Sequence, residues 1–423
     1  MDIRIIPEKI SGKVNIPSSK SVLHRLLIAS CFCKAPTEIK AVGYGRDIAA
    51  TIDCLRALGA KISVNGNLIK VFPIVKVNQT VTLNVEESGS TLRFLLPIAA
   101  ALGVNASFNA KSGLIARPIA DIVGVLKKGG IEFSRDSLPF TISGKLKSGN
   151  YSIDGSVSSQ FITGLLFALS LVEGNSTLNV TNDSVSTGYI DLTLSILDRF
   201  GVSIEKSNPF VIEGNGKFIG GISLEAEGDW SSACFMIGLA ALSGKIELYG
   251  LDTCSRQSDR IILELLDKMK IKYFVEKADN TDFITVEKSK IFPIELSVKN
   301  CPDIAPVIAI LLANAEGESV IRDVDRLSVK ESDRLKNIIE MLSELGIESK
   351  YSDDSLTIYG RETKLSRNIV ILDGRNDHRM ALSSIIALSK IGGIVRGVEC
   401  IEKSYPSFLK EYAYLGGKYE VLK

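Results

Sequence analysis

The chain has 423 residues, of which 45% are hydrophobic and 23% charged, and its formal net charge is +1 at pH 7. This length is too great for a single hydrophobic core and predicts two or three domains. The near-neutral charge argues against a nucleic-acid partner, and the longest apolar stretches fall short of the roughly 18–20 residues that span a membrane.

Residues 1–17, MDIRIIPEKISGKVNIP, lack the apolar core of a signal peptide and predict a strand. The chain carries seven cysteines, and Cys31 and Cys33 form CxC rather than the CxxC of a zinc site. No histidine or second cysteine pair stands at metal-ligand spacing. We therefore expect buried thiols, no metal and a cytoplasmic location.

An apolar helical segment that closes on small residues recurs six times, at intervals of about 70 residues. The six segments begin at Ser19, Ser90, Ser158, Asp229, Pro302 and Asp377. Because apolar residues cover almost their whole surface, we expect these helices to be buried. A fixed period of this size indicates duplicated structural units.

A second, amphipathic helix recurs in the same register and leads through a turn into an apolar strand. It begins at Asp47, Arg117, Thr187, Ser258 and Ser332, and irregularly at Ser404. Strand-like runs bounded by Gly, Asn and Asp separate the helices, such as those from Leu68, Ser176 and Asp282. Each unit predicts an α/β order of strand, buried helix, strand, half-exposed helix, strand and strand. Six such units divide naturally into two groups of three.

Histidine is scarce, since only His24 and His378 occur. The chain contains no HExxH, GxSxG, GxGxxG or Walker A motif, which argues against a zinc protease, a serine hydrolase and a nucleotide-binding enzyme. Proton transfer must therefore fall to Glu, Asp, Lys or these two histidines.

Polar and charged residues gather at the predicted helix starts. They are Lys20, Ser21, Arg25, Ser88, Gly89, Ser90, Thr91, Arg93, Arg117, Ser158, Ser159, Gln160, Asp303, Lys330, Glu331, Asp333, Arg334 and Asn376–Arg379. Pro118 suits the first helical position, which predicts Arg117 at a helix N-terminus. Each feature alone also fits an ordinary helix cap or a solvated helix start. Together, arginines on apolar helices and N-terminal amides predict a site for multiply anionic ligands.

Ten motifs match one known family in order along nearly the whole chain. They are PSSKSVLHR (17–25), SGSTLR (88–93), ARP (116–118), SSQ (158–160), STGYID (186–191), EGDWSSA (227–233), PDIAP (302–306), RLSVKESDRL (326–335), NDHRMA (376–381) and EKSYP (402–406). The chain thus resembles the 5-enolpyruvylshikimate-3-phosphate synthases, which belong to the enolpyruvyl transferases.

The resemblance implies two domains of three βαβαββ repeats each, with buried helices surrounded by sheets, the inside-out α/β barrel. Domain 1 is expected over residues 1–18 plus 227–423, domain 2 over 19–226, and the active site in the interdomain cleft. The implied activity is that of a 3-phosphoshikimate 1-carboxyvinyltransferase of the shikimate pathway. It moves the enolpyruvyl group of phosphoenolpyruvate to the 5-hydroxyl of shikimate 3-phosphate through a tetrahedral intermediate. No cofactor is needed, glyphosate is the expected inhibitor and a monomer the expected state.

The resemblance also implies residue roles by motif position. Shikimate 3-phosphate is expected to contact Lys20, Ser21, Arg25, Ser158, Ser159, Gln160, Ser186, Tyr189, Asp303 and Lys330. Phosphoenolpyruvate is expected to contact Lys20, Gly89, Arg117, Gln160, Arg334, Arg379 and Lys403. Catalysis is expected from Asp303, Glu331 and Lys20, supported by Asn376, Asp377 and His378. The resemblance does not assign each proton transfer to one of the three catalytic groups.

Some positions depart from the family pattern. Ser18 stands where Gly is frequent, His24 and Glu87 where Asn is frequent, and Arg326 at a position that carries Asn in other members. We expect none of these to abolish activity, and Glu87 to affect affinity for phosphoenolpyruvate or glyphosate.

Three alternatives stay open at this point. The sister transferase acting on UDP-N-acetylglucosamine shares the fold but uses a loop cysteine, and here Cys31, Cys33 and Cys54 lie on or near predicted helices. A non-catalytic or RNA-acting protein with the same repeat is opposed by the neutral charge. A degenerate scaffold is opposed by the complete set of charged motif residues.

Overall fold

The computed structural model describes residues 1–182, 185–216, 218–278, 281–363 and 369–422. The chain forms two compact units, unit 1 (Met1–Ser19 with Glu227–Lys423) and unit 2 (Lys20–Ala226). None of the helices in these described ranges is both long and apolar enough to span a membrane.

The helices and strands, as far as the structure describes the chain, are the following. The α-helices are α1 (Lys20–Cys31), α2 (Arg46–Leu58), α3 (Gly89–Leu102), α4 (Ser112–Ile115), α5 (Ala120–Lys128), α6 (Ser159–Leu171), α7 (Thr187–Arg199), α8 (Trp230–Ser243), α9 (Ile262–Lys268), α10 (Ala305–Ala313), α11 (Arg334–Glu344), α12 (His378–Ile391) and α13 (Phe408–Tyr414). Short 3₁₀ helices cover Ser258–Ile261, Asp325–Val329 and Val398–Lys403. The strands are β1 (Asp2–Ile6), β2 (Ile10–Asn15), β3 (Thr37–Lys40), β4 (Lys61–Asn65), β5 (Leu68–Phe72), β6 (Thr80–Glu86), β7 (Asn105–Ala110), β8 (Glu132–Phe133), β9 (Phe140–Ser143), β10 (Asn150–Asp154), β11 (Ser176–Thr181), β12 (Phe210–Ile212), β13 (Ser223–Glu225), β14 (Gly244–Tyr249), β15 (Tyr273–Ala278), β16 (Thr281–Glu287), β17 (Glu295–Ser297), β18 (Gly317–Arg322), β19 (Glu348–Ser352), β20 (Ser355–Gly360), β21 (Ile371–Asp373), β22 (Gly393–Arg396) and β23 (Lys418–Leu422).

Each sheet corresponds to one repeat. In unit 2 the strand orders are β13-β3-β5-β4, β6-β7-β9-β8 and β10-β11-β12, and in unit 1 they are β2-β14-β16-β15, β17-β18-β20-β19 and β21-β22-β1-β23. Every repeat contains two parallel strands, and a parallel pair cannot be joined by a tight turn because it needs a crossover connection. The predicted α/β repeat is therefore confirmed.

Two of the sheets in unit 1 take a strand from the chain's N-terminal segment, which confirms the predicted strand there. Strand β1 lies antiparallel between β22 and β23, and β2 pairs in parallel with β14. In unit 2, β13 returns to pair with β3, which lies near the start of that unit. In each unit, these pairings join strands from the beginning and the end of the unit's chain segments into the same sheet.

The predicted apolar helices form the centre of each unit. Every residue of α8 and of α10 is buried, and α12 is buried except at Lys390. A Cβ on Gly164 of α6 would lie 2.3 Å from the carbonyl oxygen of Arg93 in α3, so these two helices approach too closely for any larger residue. This close approach brings the polar starts of α3 and α6 together.

Candidate active site

In unit 2, the first turn of α1 is tied to α2 by an ion pair. Lys20 donates from Nζ to Asp47 Oδ2 at 2.9 Å, and both side chains are largely buried. Asp47 lies in the first turn of α2, where a carboxylate is stabilised by the helix dipole. The ion pair therefore holds the Lys20 ammonium at the polar end of the unit.

Arg25 is a buried cation surrounded by neutral groups. Its guanidinium donates to Thr193 Oγ1 at 2.8 Å, to Thr163 Oγ1 at 3.1 Å and to the backbone oxygens of Ser21 and Tyr189. Among the described residues no carboxylate pairs with it, and burial lowers its pKa to about 9. A buried cation without a counter-ion is costly, so this arrangement indicates an anionic ligand.

Two guanidinium groups converge on Gly89, the first residue of α3. A Cβ built there would lie 2.8 Å from Nη1 of both Arg93 and Arg117. Arg93 also donates to Gln160 Oε1 at 2.8 Å, and Gln160 Nε2 donates to Ser90 Oγ at 2.9 Å. The lack of a side chain at position 89 thus lets two guanidinium groups approach the N-terminus of α3.

The hydroxyl residues predicted to bind a ligand stand at the starts of α6 and α7. Ser158 caps α6 by accepting from the backbone N–H of Gln160 at 3.3 Å, and Ser159 is buried behind it. Ser186 precedes α7 with φ of 56°, a left-handed conformation that costs energy for a residue with a side chain. Tyr189 lies one turn on and its carbonyl accepts from Arg25. Strained backbone of this kind is frequent at functional sites.

In unit 1, Arg334 is the centre of a charged cluster. Its side chain is fully buried, donates from Nε to Asp377 Oδ2 at 2.7 Å and from Nη1 to Asp303 Oδ1 at 2.8 Å, and also pairs with Glu331. Burial alone would lower the pKa of Arg334, but the three carboxylates raise it above the ordinary value. The fork geometry of arginine makes these simultaneous contacts possible.

Asp303 is shared by two arginines. Arg379 donates from Nη2 to Asp303 Oδ2 at 2.9 Å, while Arg334 holds the other carboxylate oxygen. Burial alone would raise the pKa of Asp303, yet Arg379, Lys330 and Arg334 together lower it well below its ordinary value. Asp303 is therefore ionised at neutral pH, with Arg334 and Arg379 positioned by the same carboxylate.

The remaining predicted residues of unit 1 surround this cluster. Desolvation lowers the pKa of Lys330 to about 8. Asp377 caps α12 by accepting from the Arg379 N–H at 2.9 Å, and His378 is buried beside it. Lys403 donates to Asn376 at both the backbone oxygen, 2.7 Å, and Oδ1, 3.0 Å. The NDHR motif therefore holds the charged ends of two cations, since Asp377 accepts from the Arg334 guanidinium and Asn376 from the Lys403 ammonium.

Two local predictions were wrong. Arg117 does not start a helix: it lies between α4 and α5, because the chain forms an additional turn at Ser112–Ile115 and α5 begins only at Ala120. The helix predicted from Pro302 begins at Ala305, which leaves Asp303 in the preceding loop.

Sequence reasoning also missed three partners of the cations in unit 2. They are Asp47, which pairs with Lys20, and Thr163 and Thr193, which hold Arg25. Asp47 could have been suspected because it is an acidic residue at a helix start. Nothing in the sequence indicates that Thr163 and Thr193 contact Arg25.

Acidification is expected to destabilise unit 2 through His24. Burial lowers the pKa of this histidine well below its ordinary value, whereas an unfolded histidine titrates near pH 6.5. Below about pH 6.5 the unfolded chain therefore binds more protons, and the free energy of unfolding falls by up to about 1.4 kcal/mol per pH unit. Urea unfolding of wild type and His24→Asn between pH 7.5 and 5.5 measures this, since the variant should show the shallower slope. Equal slopes would contradict it.

Comparison with known proteins relates these features to a family. The family model described as EPSP synthase (3-phosphoshikimate 1-carboxyvinyltransferase) matches residues 5–412. The 3-phosphoshikimate 1-carboxyvinyltransferase of Clostridium kluyveri is 38% identical over 427 residues, which cover 98% of this chain and 97% of the relative. The enzyme of the same name from Clostridium novyi is 35% identical over 432 residues and 98% of both chains. The match thus extends over nearly the whole chain.

Solved structures resemble the fold. EPSP synthase from Acinetobacter baumannii aligns with a TM-score of 0.83 at 24% identity over 100% of both chains. The enolpyruvyl transferase NikO from Streptomyces tendae aligns with a TM-score of 0.76 at 17% identity, over 99% of this chain and 98% of that one. At these identities the likeness concerns the fold alone.

Proposed function

Because the chain belongs to the EPSP synthase family, we propose that the charged clusters of its two units are the substrate-binding and catalytic residues of that family's reaction. The reaction is the transfer of the enolpyruvyl group from phosphoenolpyruvate to the 5-hydroxyl of shikimate 3-phosphate, with release of phosphate. Both substrates carry a phosphate and a carboxylate, which arginine forks and helix N-termini bind. The observation that carries the assignment is Arg25, a buried cation without a carboxylate partner in the described chain.

Shikimate 3-phosphate is assigned mainly to unit 2. The proposed contacts are Lys20, Ser21, Arg25, Ser158, Ser159, Gln160, Ser186 and Tyr189, together with Asp303 and Lys330 of unit 1. The hydroxyls at the starts of α6 and α7 and the guanidinium of Arg25 are donors suited to a phosphate. Asp303, an acceptor, suits a hydroxyl of the ring.

Phosphoenolpyruvate is assigned mainly to cationic side chains of both units. The proposed contacts are Lys20, Gly89, Arg117, Gln160, Arg334, Arg379 and Lys403. In unit 2, the guanidinium groups of Arg93 and Arg117 lie against Gly89, and in unit 1 Arg334 and Arg379 share one carboxylate. A substrate carboxylate competes with Asp303 for those two guanidinium groups.

That competition suggests how Asp303 becomes a base. Arg334 and Arg379 keep the pKa of Asp303 low, and a carboxylate with a very low pKa is a weak base. When the substrate takes over part of these contacts, the pKa of Asp303 rises and it accepts the proton of the 5-hydroxyl as the oxygen bonds to C2 of phosphoenolpyruvate. Glu331 protonates C3 and later takes a proton back from the methyl group as phosphate leaves C2. Lys20 stabilises the departing phosphate, which gains a proton and leaves as hydrogen phosphate; that proton balances the one that Asp303 took from the 5-hydroxyl.

The cysteines of unit 2 argue against a cysteine-dependent sister activity. Burial raises the pKa of the Cys33 thiol to about 11 and that of Cys54 to about 12, and it raises the pKa of Cys31 further. A catalytic cysteine needs a lowered pKa because the thiolate is the reactive form. These thiols therefore do not suit the transfer to UDP-N-acetylglucosamine.

Phosphate release from phosphoenolpyruvate tests the proposal. We expect wild type to release phosphate only when shikimate 3-phosphate is present, and Glu331→Gln to lose about 10²–10⁴-fold in kcat, because the amide cannot transfer a proton. Glu344→Gln, an exposed position at the end of the helix that follows Glu331, serves as the matched control and should keep wild-type kinetics. Release with UDP-N-acetylglucosamine instead, or an unchanged Glu331→Gln, would overturn the assignment.

Gly89→Ala is expected to weaken glyphosate more than phosphoenolpyruvate. The added methyl would stand 2.8 Å from the guanidinium tips of Arg93 and Arg117, both at the ends of flexible side chains that have to shift. Glyphosate is longer than phosphoenolpyruvate, so it loses more when these two guanidinium groups shift. We expect its Ki to rise at least about tenfold, with a smaller rise in KM for phosphoenolpyruvate. Inhibition assays at several phosphoenolpyruvate concentrations measure both, and an unchanged Ki contradicts the placement of Gly89.

We further propose that the enzyme acts as a monomer in the cytoplasm. Each unit has its own buried core, and all seven cysteines are unpaired thiols, as in a reducing compartment. Light scattering after size-exclusion chromatography would give the mass directly, and a dimer mass would refute the monomer.

A further inference from the structure

Two polar contacts, one helical turn apart, join α1 to α2. Lys20 pairs with Asp47 at 2.9 Å, and His24 Nδ1 lies 2.8 Å from Thr51 Oγ1. Within each helix the two members are four residues apart and therefore lie on the same face. The His24 contact is thus the inner of two successive cross-links, and it lies directly behind the Lys20 ion pair.

The inner cross-link continues into α3. Thr51 Oγ1 lies 2.6 Å from Thr91 Oγ1, and Thr91 donates to Ser88 Oγ at 2.7 Å. Ser88 is the N-cap of α3 and accepts from the Thr91 backbone N–H at 3.2 Å. The residue after Ser88 is Gly89, so the hydroxyl chain that begins at His24 ends at the helix start where Arg93 and Arg117 converge.

The tautomer of His24 determines which atom donates in each hydrogen bond of this series. His24 is fully buried, and its Nε2 has no hydrogen-bond partner among the described residues. A proton on Nε2 would be a buried donor without an acceptor, so the neutral ring carries its proton on Nδ1. His24 then donates to Thr51, Thr51 donates to Thr91, and Thr91 donates to Ser88.

A separate set of contacts serves the neighbouring face of α1. Arg25 is held by Thr163 of α6 and Thr193 of α7, and these two hydroxyls lie 2.8 Å apart. Its other hydrogen bonds go to backbone oxygens of α1 and α7, at Ser21 and Tyr189. The polar contacts of α1 therefore divide into a Lys20–His24 face, directed at α2 and α3, and a Ser21–Arg25 face, directed at α6 and α7.

We propose that His24 is a positioning residue for the phosphoenolpyruvate half of the site. It acts through Thr51 and Thr91, holding Lys20 and the start of α3 at Gly89 in a fixed relation, without touching substrate itself. The inference rests on the proposed assignment of Gly89 to phosphoenolpyruvate alone and of Lys20 to both substrates, so the difference between the substrates depends on the start of α3 at Gly89. It goes beyond that assignment because it predicts that the loss of His24 impairs the use of phosphoenolpyruvate more than the binding of shikimate 3-phosphate.

Steady-state kinetics with each substrate varied tests the separation. We expect His24→Ala to lower kcat/KM for phosphoenolpyruvate about 10- to 100-fold, the loss that a small misplacement of binding groups causes, with KM for shikimate 3-phosphate within about twofold of wild type. His24→Asn should recover to within about threefold, because its amide places a donor where Nδ1 stands. Phe108→Leu, a buried change in β7 of the same unit, controls for general destabilisation and should leave both KM values unchanged.

Three results would overturn the inference: equal losses for both substrates in His24→Ala, no loss for either, or no recovery in His24→Asn. The variant Lys20→Ala distinguishes a wrong positioning role for His24 from a wrong assignment of Lys20 to phosphoenolpyruvate. If Lys20→Ala leaves kcat/KM for phosphoenolpyruvate unchanged, the assignment of Lys20 is wrong. If Lys20→Ala lowers it strongly and His24→Ala does not, the positioning role alone is wrong.

Discussion

Arg334→Met is expected to lower the free energy of unfolding of unit 1 by about 3–5 kcal/mol at pH 7, the usual cost of removing one partner from a buried ion pair. The fully buried guanidinium contacts Asp303, Glu331 and Asp377, and methionine fills similar space without neutralising any of them. Urea unfolding monitored by fluorescence, analysed for the unit 1 transition, gives the difference.

The pH dependence of this loss identifies its cause. Arg334 helps to hold the pKa of Asp303 low, so the carboxylate regains protons more readily in the variant. The destabilisation should therefore be smaller at pH 4.5 than at pH 7. Arg375→Met is the matched control: this exposed arginine pairs with Glu340 at 2.9 Å on the surface, and its loss should cost no more than about 1 kcal/mol. A loss in Arg334→Met as small as the control's would show that the cluster is not structurally important.

Asp303→Asn is expected to reduce kcat by about 10²–10⁴-fold with little change in secondary structure. The amide has nearly the same shape and still accepts from Arg334 or Arg379, but it cannot remove a proton from the 5-hydroxyl. Single-turnover measurement with both substrates saturating separates the chemical step from binding.

The control for Asp303→Asn lies close in sequence to the proposed catalytic Glu331. Asp333 is the exposed N-cap of α11, where asparagine caps as well as aspartate, so Asp333→Asn should keep kcat within about twofold. If Asp303→Asn retained more than a tenth of wild-type kcat, another group would have to be the base.

The repeat could be read from the sequence because its signal is strong and local. Apolar residues all round α8 and α10 leave burial as the only stable solution, and the same helix type returns in each unit. The boundaries were less predictable. Pro118 is compatible with a helix start but does not require one, so Arg117 was misplaced by the extra turn α4.

The site was predictable in its residue types but not in its pairings. Arginines at apolar helix starts indicate anion binding from the amino-acid sequence alone. That Thr163 and Thr193 hold Arg25, or that Arg93 and Arg117 meet at Gly89, depends on how α3, α6 and α7 pack. Such contacts between distant segments leave no pattern in local spacing.

The position of β1 has a consequence for synthesis on the ribosome. Unit 2 is one continuous stretch, Lys20–Ala226, and all strands of its sheets are available once that stretch has emerged. Strand β1, in contrast, pairs with β22 and with β23, which ends at Leu422. Since domains fold as they leave the ribosome, unit 2 is expected to fold while β1 still lacks both neighbours. Strand β1 is therefore translated before unit 2 but can pair only after β22 and β23 have emerged, and the emerging chain has to keep it from aggregating until then.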